Sequence, residues 1–222
     1  MKKTLLLCWL CCLLALSSFS QDDKKHLSRN TYLKVNPPTL INELDIYVEQ
    51  EISDNFSLEF GISGIYTDYP DYVFAKKIDI GQKKPDINTT QFVDGRGLGF
   101  RVGARWYLIS REMAPSTAAG TYFEPVLFFK KVFYPNQENT YADATYTDSG
   151  DKSVAGLQLL IGRQFKKDRF ILDPFIGIGI RSKIYQYNTY HFDNDKVTLN
   201  NGKMVSILPS LQIGIKMGLK LR

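Results

Sequence analysis

Cysteine is nearly missing from this chain, and its placement excludes more than it offers. The three cysteines, Cys8, Cys11 and Cys12, all fall within the first twelve of 222 residues. The remainder holds no thiol, which excludes a disulfide framework and any cysteine-built metal site. Histidine is almost as scarce, with His26 and His191 alone, so histidine-assisted nucleophilic catalysis has little to draw on. No glycine-rich phosphate loop, metal-spaced histidine pair or heptad repeat is present. Long apolar runs are missing too. Leu5 to Phe19 is the only candidate, and nothing later approaches the ~20 residues that a spanning helix needs. Charge of one sign is modest: the formal balance is +5, and +3 without Lys2 and Lys3, too little to suggest nucleic acid as a partner. With 44% hydrophobic and 13% aromatic residues the chain is one that folds. Its length fits one domain better than two.

What is present begins with a leader. Lys2 and Lys3, the apolar stretch Leu5 to Leu16, and Ser18-Phe19-Ser20 as a small-x-small cleavage site make residues 1–20 a secretory signal peptide. An uncleaved anchor is the alternative, disfavoured by the short core. Cys12 follows Cys11 and Leu10 rather than a small-residue box, so lipidation is not expected. Residues 21–30 are polar and charged, a flexible lead-in. Residues 31–222 form the domain.

Within that domain the period is two. Val205, Ile207, Leu211, Ile213, Ile215, Met217, Leu219 and Leu221 alternate with Gln212, Gly214, Lys216, Gly218 and Lys220. Phe170 to Ile184 and Leu98 to Leu108 alternate in the same way, as do the segments around Leu44 to Glu49, Phe56 to Tyr66 and Ser153 to Phe165. Phe123 to Phe133 is apolar on both faces, leaving its phase open. No convincing helix remains. These are seven strands, and Thr31 to Asn36, with Leu33 and Val35 on one face, supplies an eighth. Connections alternate between short (Ser53-Asp54-Asn55, Arg111 to Gly120, Lys166 to Arg169) and long (Asp71 to Asp94, Pro135 to Lys152, Asn188 to Lys203). Such alternation is the pattern of an outer-membrane barrel.

Alternation alone does not say whether the apolar face looks inward or into lipid. Gly97, Gly99, Gly103, Gly177, Gly179, Gly214 and Gly218 all lie on the polar face. In water they would weaken the strands, whereas inside a narrow barrel they make room for long charged side chains. Nine of thirteen tyrosines, including Tyr66, Tyr134, Tyr185, Tyr187 and Tyr190, cluster toward the long connections, where an interfacial girdle would sit. The expectation is an all-β fold, an eight-stranded antiparallel up-and-down transmembrane β-barrel after a cleaved signal peptide.

Leu33-Lys34-Val35-Asn36, Tyr47-Val48-Glu49 and Phe56-Ser57-Leu58-Glu59-Phe60 resemble the opening of small outer-membrane β-barrel proteins of Gram-negative bacteria. Leu172 to Arg181 is similar to their penultimate strand. The resemblance implies an OmpA- or OmpX-like barrel with no peptidoglycan-binding domain after it and no catalytic residues to carry over. It implies outer-membrane lipid, lipopolysaccharide and the barrel assembly machinery as partners. One departure is the ending, Leu219-Lys220-Leu221-Arg222, where such barrels often present an aromatic residue.

The strongest constellation is expected inside the barrel. Glu43, Asp45, Glu49, Glu51 and Glu59 face inward from early strands; Arg101, Arg105, Arg181, Lys183, Lys216 and Lys220 face inward from later ones. Buried charges must pair, so these residues form a lumen charge network, with Lys216 and Lys220 near the acids of the second strand. A salt-bridged plug is favoured over an ion pathway because eight strands enclose little more than side chains. His191, near Asp193 and Asp195 with Ser182 as nearest nucleophile, is read as a solvated loop histidine. Asp193-Asn194-Asp195 lacks full calcium-loop spacing. Glu124-Pro125 and Asp173-Pro174 are read as matching strand-entry devices. No catalytic, cofactor or metal residue is assigned. The functional readings are a non-enzymatic barrel acting structurally or through its loops, a narrow channel, a lipid-modifying enzyme, and a soluble lipid-holding barrel.

Overall fold

The computed structural model describes residues 30–68, 78–79, 94–108, 120–141, 144–193 and 196–221. Residues 1–20, expected as a signal peptide, nearly all of the expected lead-in with His26, most of Asp71 to Asp94, residues 111–119 and Asn194-Asp195 lie outside the described residues.

The described chain is all-β, and its main strands are β1 (Thr31–Val35), β2 (Glu43–Ser53), β3 (Phe56–Ile65), β4 (Arg96–Tyr107), β5 (Thr121–Phe133), β6 (Gly150–Arg163), β7 (Phe170–Asp193) and β8 (Lys196–Lys220). Each pairs antiparallel with its chain neighbour, and β8 also pairs with β1 through Tyr32↔Lys220 to Val35↔Met217, so that eight strands are bonded in a closed ring. The first strand stops where Pro37 opens a 3-10 helix, Pro37–Ile41, because proline fixes φ and offers no N–H to a ladder.

Hydrogen-bonded partners followed round the ring from Lys34 pass through Tyr47, Gly61, Arg101, Phe128, Gly156 and Arg181 to Leu208. Lys34's own partner on β8 is Gly218, ten residues further on. A stagger of ten over eight strands tilts them by about 40° and gives a backbone radius of about 8 Å, wide enough for side chains to meet across the middle.

The two faces sort as the alternation predicts. Leu98 is 74% exposed, Ile207 71% and Leu127 64%, whereas Glu49, Arg105 and Lys216 are fully buried. The open phase of β5 resolves with Phe123, Leu127 and Phe133 outside and Tyr122, Glu124, Val126, Phe128 and Val132 inside. The interior glycines are needed for close approach. A Cβ on Gly61 would stand 2.7 Å from the Tyr47 ring, and one on Gly103 would stand 2.0 Å from a carboxylate oxygen of Glu124.

Three expectations are corrected. Asn188 to Lys203 is not a polar loop. β7 and β8 continue through it as a hairpin, paired from Asn188↔Asn201 to Asp193↔Lys196. Its apolar pairs, Tyr190↔Leu199 and Phe192↔Val197, are two rungs set among asparagine, threonine, histidine and aspartate, so the stretch reads as a polar loop. Pro135 to Lys152 likewise contains a hairpin, Gln137–Tyr141 with Ala144–Asp148. Tyr134 and Tyr185 do not join an outer girdle; their phase turns them inward, where they pack with Ile65 and Val132.

Candidate functional site

Strand phase sends a polar side chain into the interior at every second residue, and the stagger decides which of them meet. At the level of Arg105 each wall contributes. β1 supplies Lys34, β2 Glu49, β3 Glu59, β4 Arg105, β5 Glu124, β7 Asp173 and β8 Lys216, while Gln164 enters just after β6.

Arg105 is the hub. Its Nη1 lies 3.1 Å from Glu49 and 2.9 Å from Asp173, and its Nη2 lies 2.9 Å from Glu59 and 2.8 Å from Glu124. Its Nε donates to Glu124 as well, at 3.1 Å. The guanidinium carbon stands 3.8 Å from the centre of the Tyr122 ring. Only a guanidinium has the donors to serve four carboxylates at once. Lys34 carries charge into the same cluster, 2.5 Å from Glu49 and 2.8 Å from Asp173. Lys216 bonds Glu59 and sits over the Tyr47 and Phe175 rings.

Neutral groups supply further donors to the carboxylates. Ser57 Oγ donates to Glu49 at 2.6 Å, Tyr107 Oη to Glu49 at 2.7 Å, Gln164 Nε2 to Glu49 at 2.9 Å and Tyr122 Oη to Asp173 at 2.5 Å. Charges removed from water need this density of partners, since desolvation costs several kcal/mol per ion and Coulomb attraction recovers it only in good geometry. The cluster's ion-paired side chains are at most 1% exposed.

Of the residues expected in the network, Glu49, Glu59, Arg105 and Lys216 meet in this cluster. The others are placed elsewhere. Glu43 is bonded by Lys130. Asp45 accepts from Tyr47 and Ser63. Arg101 stacks on Tyr47 at 5.4 Å. Arg181 and Lys183 are buried further along β7. Glu51 lies at the short-turn end, where Tyr32 and Lys166 hold it. Lys220 is half-buried four residues further along β8 than Lys216, paired with Tyr32 of β1. Lys216 passes the acids of β2 to reach Glu59 of β3, because the stagger brings β3 opposite it.

Three central members were not expected in the network: Lys34, Glu124 and Asp173. The acids of Glu124-Pro125 and Asp173-Pro174 are not mere strand-entry features. Each proline interrupts one ladder. β4–β5 pairing stops at Gly103↔Val126 and resumes at Trp106↔Phe123, while pairing with β7 lapses between Phe165↔Leu172 and Gly162↔Phe175. The preceding acid of each pair points to Arg105. The signal was legible in the repeated acid-proline pair, each set at the fourth and fifth residues of its strand.

Glu49, Glu59 and Asp173 bring three carboxylate oxygens within 4.8 Å of one another. Lys34 and Arg105 already fill the space between them, so a cation would have to displace both. Ser182 and His191 share one strand, β7, nine residues apart, a separation of about 30 Å. They do not form a nucleophile and base; the His191 side chain itself lies outside the description. No protein-family model matches the chain, and neither does any curated protein or any solved structure.

Proposed function

We propose that this chain is a non-enzymatic outer-membrane β-barrel whose lumen is closed by the Arg105 cluster, and that it acts structurally or through its loops. The observation that carries the reading is inverted polarity. Large apolar side chains cover the outside of the ring while fully buried charges fill the inside, the arrangement suited to a hydrocarbon solvent. A soluble ring of this width would place the apolar face within.

Aromatic residues add support. On the outer face Phe56, Trp106 and Phe123 occupy one rung near the short turns, with ring centres 5.0 and 5.3 Å apart. Aromatic rings at one end of an apolar band are what an interfacial girdle requires. Outer-membrane lipid and lipopolysaccharide are then the surroundings of that band, with the barrel assembly machinery delivering the chain to them.

The test is fractionation of cells with detergent extraction, followed by gel mobility with and without boiling. The chain is expected in the outer membrane and to migrate faster unboiled. Recovery in the soluble periplasmic fraction would overturn the reading. Reconstituted in planar bilayers, the protein is expected to show negligible steady conductance, and stable single-channel currents would favour a channel.

A further inference from the structure

Away from the Arg105 cluster, a cleft of about 550 Å³ opens at the foot of the β7–β8 extension, within the range of about 300 to 1,000 Å³ usual for small-ligand sites. Two glycines lie in its wall. Gly150 of β6 and Gly202 of β8 both pair with Tyr187 of β7. A Cβ on Gly202 would lie 2.5 Å from the Tyr187 ring, and one on Gly150 would touch both Tyr134 and Tyr187. The two glycines leave room for the Tyr134 and Tyr187 side chains in the wall of the cleft.

Amide side chains surround these rings. Asn136, Gln186, Asn188 and Asn201 line the cleft. Asn188 is oriented by donating to Ser149 Oγ at 2.8 Å. Gln186 and Asn201 are exposed, and neither side chain is hydrogen bonded to another described residue. A carboxamide both donates and accepts, as a sugar hydroxyl does, and an aromatic face suits the C–H face of a pyranose ring. Asp151 and Lys203 give the lining one charge of each sign, which selects no ion. An apolar ligand would strip water from the amides without replacing their hydrogen bonds.

We propose that this cleft binds a saccharide, with Tyr187 as its platform and Gln186, Asn188 and Asn201 as hydroxyl partners. The site is built from the ring and its hairpin and does not depend on a membrane. Two sources have this chemistry: lipopolysaccharide sugars and free glycans. The experiment uses full-length protein refolded in a detergent without a sugar headgroup and presented to two sets of probes. One is an array of neutral and anionic oligosaccharides, and the other is the deacylated oligosaccharide of lipopolysaccharide. Binding in either arm is expected and names the source. Tyr187→Ala should weaken it by about tenfold, the loss of one aromatic platform, while Tyr187→Phe retains it and both variants keep heat-modifiable mobility. Absence of binding in both arms, or binding that survives Tyr187→Ala, would overturn the proposal.

Discussion

Arg105 of β4 and Glu124 of β5 face each other at 2.8 Å on the rung where Pro125 leaves the β4–β5 ladder unpaired. A backbone hydrogen bond is missing at this position, and a charge-assisted, two-donor contact between side chains ties the same two strands together.

Arg105→Ala is therefore expected to destabilise the protein by about 3 to 5 kcal/mol, because four buried carboxylates lose their shared partner. Glu124→Gln should cost less, since Glu49, Glu59 and Asp173 still hold Arg105. The two changes together should cost less than their sum, reflecting a coupled network. Denaturant unfolding of the refolded protein, scored by tyrosine and tryptophan fluorescence, measures all three. Additive costs would show that the pair does not interact.

Gly103 and Gly64 form a contrasting pair. A Cβ at Gly103 meets the Glu124 carboxylate, whereas one at Gly64 meets nothing within 4 Å. Gly103→Ala should destabilise by about 1 to 3 kcal/mol through overpacking, and Gly64→Ala should fall within about 0.5 kcal/mol of the parent. Equal effects in the same unfolding assay would mean that Glu124 is not held where the ring places it.

Ile178 and Ile213 are 62% and 50% exposed on the outer wall. Arginine at either position should cost about 2 to 4 kcal/mol in a bilayer if the site is near the midplane. Folding titrations in lipid vesicles check this. Spin labels there that water-soluble quenchers reach in the folded state would show that the wall does not meet lipid.

Under the proposed outer-membrane reading, connection length predicts sidedness. Thr140 in the hairpin before β6 and Lys167 in the turn before β7 are both exposed, and all three cysteines of the chain fall in residues 1–20. Single cysteines at the two positions should react differently with a membrane-impermeant maleimide on intact cells. Labelling at position 140 alone is expected; labelling at 167 alone would reverse the barrel.

Much of the wall was legible before any coordinates. Leu98 to Leu108 and Val205 to Leu221 announce strands and both of their faces by strict alternation, and Thr31 to Val35 followed from the need for an even number. Phe123 to Phe133 hid its phase because Val126, Phe128 and Val132 line the interior on the same face as Glu124 and Lys130, so polarity did not separate in from out. The β7–β8 extension was hidden because its two apolar rungs, Tyr190↔Leu199 and Phe192↔Val197, are too short an alternation to stand out among the polar residues around them.

Period two is a local property of the backbone, so the sequence by itself determined strands, faces and the burial of Glu49, Glu59, Arg105 and Lys216. Which buried charges touch is a matter of register and closure. A stagger of ten carries β3 opposite Lys216 and gathers Lys34, Glu124 and Asp173 around Arg105. No local pattern encodes that offset. It is set by cross-strand pairing summed round the ring, and only the tertiary structure decided it.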